Sequence, residues 1–256
     1  ELARELAARG EHARAIAALD HAAEEVAGDR RALVPVLVLR ARSELALGRV
    51  DDSIATLERA RALTSRSAGA RGEIAELLLD AHRRGDRLAE LCAELAEHAA
   101  GFAERMTLAR AHDELGRDDE AAEAYTDAAA LAPRDPEPLM RAIRVLMRAG
   151  QLEEAIAVSR MLVRRAPRDP RFVTELAELH ASAGRRTEAI AVLVDAGRRA
   201  PREVALHQAI AELYVRWDEP ERAEAELERV AELDPDDPSH LVALGDHRRS
   251  GGDREG

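Results

Sequence analysis

The segment from Gly116 to Gly150 reads GRDDEAAEAYTDAAALAPRDPEPLMRAIRVLMRAG and contains one full period of the pattern that sets the fold. Glycine returns at Gly184, which is again 34 residues further on. Proline keeps the same interval, at Pro133, Pro167, Pro201 and Pro235. Each of these glycines precedes one of the prolines by 17 residues, so every period divides into two segments of helical length. A fixed period of this size is typical of stacked supersecondary units.

Apolar residues on both sides of Gly150 have the spacing of amphipathic helices. They are Leu139, Ala142, Ile143 and Leu146 before the glycine, and Ala155, Ile156, Leu162 and Val163 after it. Pro167 ends the second helix, because proline has no N–H to donate and disfavours a helical residue before it. One hairpin cannot bury its apolar stripe alone, so the sequence predicts an all-α solenoid of stacked helix hairpins.

The residues at fixed places in each period resemble those of tetratricopeptide repeats. In two of the periods the matching positions are Gly116, Ala121, Tyr125, Ala128 and Pro133, and then Gly184, Ala189, Leu193, Ala196 and Pro201. The resemblance implies an all-α, right-handed superhelical solenoid of stacked helix-turn-helix repeats. It also implies a protein–protein interaction scaffold that binds a peptide or protein partner in a concave groove formed by the first helices.

On this resemblance the chain is one solenoid over residues 1–256, with repeats of unequal regularity. We assign full repeats to 34–67, 102–135, 136–169, 170–203 and 204–237, a short degenerate repeat to 71–101, and partial repeats to 1–33 and 238–256. Residues 64–72, rich in Ser, Gly and Thr, are predicted to form a loop. Both ends fall inside repeats, which indicates a fragment of a longer protein, so the lack of a signal peptide carries no information on export.

Four residues depart from the repeat pattern. Asp218 replaces the inner-turn glycine and is followed by Glu219-Pro220, so we expect a turn of a different shape there. Glu44 takes a place that is normally buried. Ser159 and His207 take places that usually carry bulky apolar side chains, which predicts looser packing around them.

In the family that the sequence resembles, a second stripe on the first helices lines the groove. To this partner-binding surface we assign Met106, Arg110, Met140, Arg144, Met147, Arg148, Arg171, Thr174 and Glu178, and the stripe continues through Gln208, Glu212 and Val215. Methionine adapts to varied partners, and arginine pairs with carboxylates in a bidentate manner. Alternatively, Met106 and Met140 only fill contacts between neighbouring first helices. Family members that grip the C-terminal carboxylate of heat-shock chaperones use Lys and Asn, and this chain contains neither, which disfavours that ligand.

Composition argues against several other functions. The chain is 46% apolar and 34% charged, as expected of a folded domain, and its longest apolar run, 32–39, is too short to cross a membrane. A net charge of −12 and only five aromatic residues disfavour nucleic acid as a partner. All 38 basic residues are Arg, which indicates a GC-rich and therefore bacterial genome.

The sequence carries no recognisable catalytic motif, so we expect a protein without enzymatic activity, catalytic residues, metal or cofactor. The nine histidines are scattered, and the acidic segment 234–238 is predicted to be a turn rather than a calcium site. Cys92, the single cysteine, is predicted to be a structural thiol. We expect a cytoplasmic protein.

Charge is unevenly distributed along the chain. Residues 140–171 carry a balance of +5, and residues 219–237 carry −7. This arrangement permits steering of an elongated partner or head-to-tail self-association, although charges on a solvated convex face also keep an Ala-rich protein soluble. Two further functions therefore stay open: a self-assembling or complex-assembly subunit, and the non-catalytic regulatory arm of a larger enzyme.

Overall fold

The computed structural model describes residues 1–64, 68–99 and 101–252, and fifteen α-helices account for the regular structure in these ranges. The helices are α1 (Leu2–Ala8), α2 (His12–Glu25), α3 (Arg30–Ala46), α4 (Val50–Leu63), α5 (Ala68–Arg84), α6 (Leu88–His98), α7 (Phe102–Glu114), α8 (Asp118–Leu131), α9 (Glu137–Arg148), α10 (Leu152–Arg165), α11 (Pro170–Ser182), α12 (Arg186–Arg199), α13 (Val204–Arg216), α14 (Pro220–Leu233) and α15 (Pro238–Gly252). The predicted all-α fold of helix hairpins is confirmed.

The helices group into two compact units, Glu1–Val145 and Leu146–Gly256, with the boundary inside α9. In unit 1, successive helices pair as the hairpins α1–α2, α3–α4, α5–α6 and α7–α8. Helices α2, α4 and α6 also pack on the first helices α3, α5 and α7 of the next hairpins, and these three first helices pack side by side. Stacking therefore buries the stripe that one hairpin leaves exposed.

Unit 2 repeats this arrangement. The hairpins are α11–α12 and α13–α14, α10 packs on α11, α14 packs on α15, and the first helices α11 and α13 lie against each other. Its core is centred on Val173, Leu193, Ile210 and Tyr214, each at most 2% exposed. Alanines such as Ala177 and Ala189 are fully buried between them, which lets the helices approach closely.

The turn inside each hairpin has one recurrent geometry. At Gly116, the N–H groups of Gly116 and Arg117 donate to the carbonyl oxygens of Asp113 and His112, at 3.1 and 2.9 Å. This pair of hydrogen bonds closes a helix when the residue after its cap is left-handed, and Gly116 has φ of 68°. The other glycines with this geometry are Gly10, Gly48, Gly150 and Gly184.

The expectation of a different turn at Asp218 is wrong. Asp218 has φ of 57°, and the N–H groups of Asp218 and Glu219 donate to Val215 and Tyr214 in the same pattern as at Gly116. Aspartate tolerates the left-handed region better than most residues, so the turn keeps its shape. In the short repeat the left-handed residue is Asp86, with φ of 56°, and not the preceding Gly85.

The structure also shows the surroundings of the other residues that depart from the repeat pattern. The predicted loop 64–72 is too long, because α5 already begins at Ala68; residues 65–67 lie outside the described ranges. Glu44 is indeed buried, with its carboxylate 2.9 Å from Nε of Arg40. Ser159 and His207 are buried as well. None of the helices in the described ranges is both long and apolar enough to span a membrane.

Candidate functional site

The stripe assigned to partner binding lies on the first helices of the hairpins. In unit 1, Met106 and Arg110 are half-buried on α7. Arg110 forms an ion pair with Glu76 of α5, so this arginine joins two neighbouring first helices. On α9, Met140 is half-buried and Arg144 is exposed, and Arg144 has no ion-pair partner within the described part of the chain.

In unit 2, Met147 is 42% exposed and Arg148 is exposed near the end of α9. Arg171 is the second residue of α11 and is engaged locally. Its guanidinium donates to Asp169, with Nη2 2.8 Å from Oδ2, and lies 5.3 Å from the centre of the Phe172 ring. These hydrogen bonds from Arg171 lower the pKa of the Asp169 carboxyl, which also caps the helix. Arg171 therefore holds the capping residue at the start of α11.

Thr174 is likewise engaged at the first turn of α11, where its hydroxyl donates to the carbonyl oxygen of Pro170 at 2.9 Å. Glu178 is placed differently. Its carboxylate lies 2.7 Å from Nη2 of Arg216, which connects α11 with α13. Arg216 also lines an apolar depression on the neighbouring part of the surface.

The depression has a volume of about 690 Å³ and lies between α13, α14 and α15. Its lining combines apolar side chains with a charged rim, namely Ala211, Val215, Leu227 and Ala243, and Glu212, Arg216, Asp246 and His247. Val215 is 50% exposed, so an apolar side chain is open to solvent at its mouth. Small residues on α13 and α15 leave the space, and Leu227 of α14 provides its apolar wall.

Side-chain contacts fix α15 to α14. His247 Nε2 lies 3.0 Å from the carbonyl oxygen of Pro220, and Arg248 pairs with Glu224 and Glu228. These contacts hold α15 at its place on α14, so the depression is part of the folded surface. Glu212 and Val215 belong to the stripe identified from the sequence. Continuing that stripe onto α15 would have identified Asp246, whereas Ala243 gave no signal because alanine is frequent throughout the chain.

A second, polar cavity of about 230 Å³ lies in unit 1 and is lined by Glu58, Arg61, Ala62, Arg71, His98 and Glu104. Nη2 of Arg61 lies 2.9 Å from the Glu58 carboxylate and also contacts Glu94 of α6. Burial, opposed by Arg61 and reinforced by the charge and hydrogen bond of Glu94, raises the pKa of Glu58 to about 7. This cluster connects the second helices of two hairpins.

The remaining titratable candidates have structural roles. Asp237 Oδ1 accepts the N–H of Ser239 at 2.9 Å, at the start of α15, which agrees with the predicted turn at 234–238. Oxygen and nitrogen atoms of Asp234, Asp237 and His240 lie within 4.8 Å of one another, but these carboxylates also accept hydrogen bonds within the turn. Burial raises the pKa of the Cys92 thiol, which disfavours the nucleophilic thiolate.

Fold and surface together define an all-α helix-hairpin repeat protein. Residues 114–179 and 180–244, just over half of the sequence, match the tetratricopeptide repeat family, and the chain belongs to that family. The repeat is that of a protein–protein interaction scaffold, and such proteins are typically non-catalytic.

Solved structures of tetratricopeptide repeat proteins are similar to the chain at low identity. One from Parabacteroides merdae is 13% identical, with 97% of this chain and 96% of that chain covered and a TM-score of 0.43. The C-terminal part of one from Cytophaga hutchinsonii is 14% identical, with coverages of 95% and 98% and a TM-score of 0.46. One from Thermus thermophilus is 22% identical, with coverages of 84% and 98% and a TM-score of 0.37. No curated protein matches the sequence significantly.

Proposed function

We propose that this chain is a non-catalytic scaffold that binds a segment of a partner protein on the surface of its first helices. In unit 2 the depression between α13, α14 and α15 receives an apolar side chain of that segment. The observation that carries the proposal is a depression that combines apolar and charged lining residues, next to the stripe that the repeat pattern assigns to binding.

The chemistry of the depression supports this role. Transfer of an apolar side chain from water onto Val215, Leu227 and Ala243 is favourable in proportion to the apolar area removed from solvent. The rim offers carboxylates at Glu212 and Asp246 and a guanidinium at Arg216, which can orient a polar backbone or a charged flank. An aliphatic anchor flanked by charged residues is therefore the segment that fits.

In unit 1 the stripe offers Arg144, which is exposed and has no ion-pair partner among the residues that the structure describes, beside the half-buried Met140. Arg144 is free to form a bidentate pair with a carboxylate of the partner, whereas Arg110 is already engaged with Glu76. We infer that Arg144 contributes to binding in unit 1.

The test uses peptides selected on the whole chain from a phage-displayed random library, with binding measured by fluorescence anisotropy. Val215→Glu places a charge in the mouth of the depression and is expected to weaken binding roughly tenfold or more, equivalent to about 1.4 kcal/mol. Arg144→Glu tests the unit 1 stripe in the same assay. The matched control is Leu131→Glu, because Leu131 is 52% exposed, close to the 50% of Val215, and also lies at a helix end.

We expect the library to yield peptides that contain an aliphatic residue. Replacing that residue by Ser is expected to abolish binding. If Val215→Glu and Leu131→Glu have equal effects, the depression is not the binding site. If no peptide with an apolar anchor is enriched, the proposal fails as a whole.

A further inference from the structure

Two turns of unit 2 share the sequence Arg-Arg-Ala-Pro-Arg, at 164–168 and, 34 positions later, at 198–202. Helix α10 ends at Arg165 and α12 at Arg199, and each is followed by the same turn. In the first turn the N–H of Asp169 donates to Ala166, and in the second the N–H of Glu203 donates to Ala200, both at 3.1 Å. Because α11 and α13, which follow these turns, lie against each other, the turns are neighbours on one edge of the unit.

Arginine occupies equivalent positions in both turns. Six exposed arginines lie in the last helical turns and the loops that follow: Arg164, Arg165, Arg168, Arg198, Arg199 and Arg202. Arg199 pairs with Asp195 at 2.9 Å. Four others, Arg164, Arg168, Arg198 and Arg202, have no ion-pair partner among the residues that the structure describes, and we call these four the arginine edge.

Two neighbouring carboxylates are already engaged by arginines that do not belong to the arginine edge. Asp169 accepts hydrogen bonds from Arg171, and Asp195 is engaged by Arg199. Glu203 is the nearby exposed acid. A further guanidinium approaches from α14, where Arg229 donates to the carbonyl oxygen of Pro201 at 3.0 Å.

The ordinary explanation for arginine at a helix end is its favourable interaction with the negative end of the helix dipole. That explanation applies to Arg164 and Arg198, which lie in the last turns of α10 and α12. It does not apply to Arg168 and Arg202, which lie beyond the helix ends in the loops. The arginine edge therefore has more positive charge than helix termination requires.

We propose that the arginine edge binds a short acidic segment of a partner protein. Arg168 and Arg202 lie in the loops that lead into α11 and α13, which pack against each other. Packed helices lie about 8 to 10 Å apart, which sets the interval between the two turns. A polyproline II segment rises about 3.1 Å per residue and returns to the same face every third residue. Carboxylates three residues apart, about 9 Å along such a segment, match the interval between the turns.

A protein segment fits this edge better than a nucleic acid because the charge reverses at the next repeat. The counterpart of Arg164 and Arg198 in the turn between α14 and α15 is Glu232, and the counterpart of Arg168 and Arg202 is Asp236. A nucleic acid carries phosphates at constant density and would meet these carboxylates, whereas a short acidic segment ends before them. This proposal does not depend on the depression or on its partner.

The test measures anisotropy of a fluorescein-labelled peptide made of three Glu-Pro-Pro units, with three Gln-Pro-Pro units as the uncharged probe. The whole chain is expected to bind the Glu peptide, with an affinity that falls as salt increases, and not to bind the Gln peptide. The double variant Arg164→Glu/Arg198→Glu is expected to weaken binding roughly tenfold or more. Arg164→Gln/Arg198→Gln, which removes the charges without reversing them, is expected to have an intermediate effect.

The matched control is Arg30→Glu/Arg31→Glu, an equal change in net charge on exposed residues of unit 1 at the start of α3, where acidic residues are tolerated. It is expected to change the affinity less than about twofold. Equal weakening by both charge reversals would show a nonspecific charge effect and overturn the proposal. Equally tight binding of a single-stranded oligonucleotide would also overturn it. So would sedimentation in which the wild-type chain self-associates and the Arg164→Glu/Arg198→Glu variant does not.

Discussion

Replacing Glu58 by Gln is expected to stabilise the protein above neutral pH and to leave it nearly unchanged in mild acid. Glu58 lies on α4, next to Arg61 and the Glu94 carboxylate of α6, and its pKa is raised from 4.5 to about 7. Burial is the largest cause. Glu58 Oε1 and Arg61 Nη1 are both buried without a hydrogen-bond partner among the described residues, so the ionised carboxylate is poorly compensated.

The sign of the effect follows from proton linkage. Between pH 4.5 and about 7 the folded chain holds a proton on Glu58 that the unfolded chain has lost, so stability falls as pH rises through that window. Each pKa unit corresponds to about 1.4 kcal/mol, which sets a ceiling of roughly 3 kcal/mol. The side chain is 32% exposed, and solvent screening reduces the expected loss to roughly 1 to 2 kcal/mol.

The assay is urea unfolding of the wild type and Glu58→Gln, followed by far-UV circular dichroism at several pH values between about 5 and 9. Glutamine stays neutral throughout, so its advantage over the wild type is expected to grow by roughly 1 to 2 kcal/mol across this range. Glu97→Gln is the control, because Glu97 is an exposed carboxyl on the same helix as Glu94. A stability difference that stays constant with pH, or an equal growth in Glu97→Gln, would refute the reasoning.

Two smaller changes test the turns and the core. Asp86→Gly removes a left-handed aspartate with φ of 56° and is expected to raise the free energy of unfolding by about 0.5 to 1 kcal/mol in urea, whereas a decrease would show that the side chain stabilises the turn. Ser159→Ala removes a fully buried hydroxyl that has no hydrogen-bond partner among the described residues. It is expected to stabilise unit 2 by about 1 kcal/mol in the same measurement, and a loss of stability would indicate that the hydroxyl is satisfied in solution.

The hairpin architecture could be predicted because it depends on local chemistry that the sequence displays directly. Glycine at Gly116, Gly150 and Gly184 marks left-handed residues, and proline between the repeats marks helix ends. The prediction was wrong at Asp218, because the turn requires a left-handed backbone and not glycine itself. The same hydrogen bonds form there because aspartate can adopt that conformation at a modest cost.

The depression was harder to predict from the sequence. Val215 and Glu212 lay on the expected stripe, but the space beside them depends on Ala211 and Ala243 and on the position of α15 over α14. That position is fixed by contacts such as His247 with Pro220, which join residues 27 positions apart. Periodicity gives the face on which such residues lie, but it does not give the separation of the helices that carry them.

The structure distinguishes arginines that pair with a carboxylate of a neighbouring repeat from those that have no such partner among the described residues. Many pair with a carboxylate about one repeat away, as in Arg110 with Glu76, Arg185 with Glu153 and Arg83 with Glu114. Such arginines fasten neighbouring hairpins, and their number in the sequence carries little information about partners. An arginine such as Arg164, which has no ion-pair partner among the described residues, does not fasten neighbouring hairpins in this way. The arginines left over after pairing, rather than the total basic charge of a segment, are therefore the better guide to where an anionic partner binds.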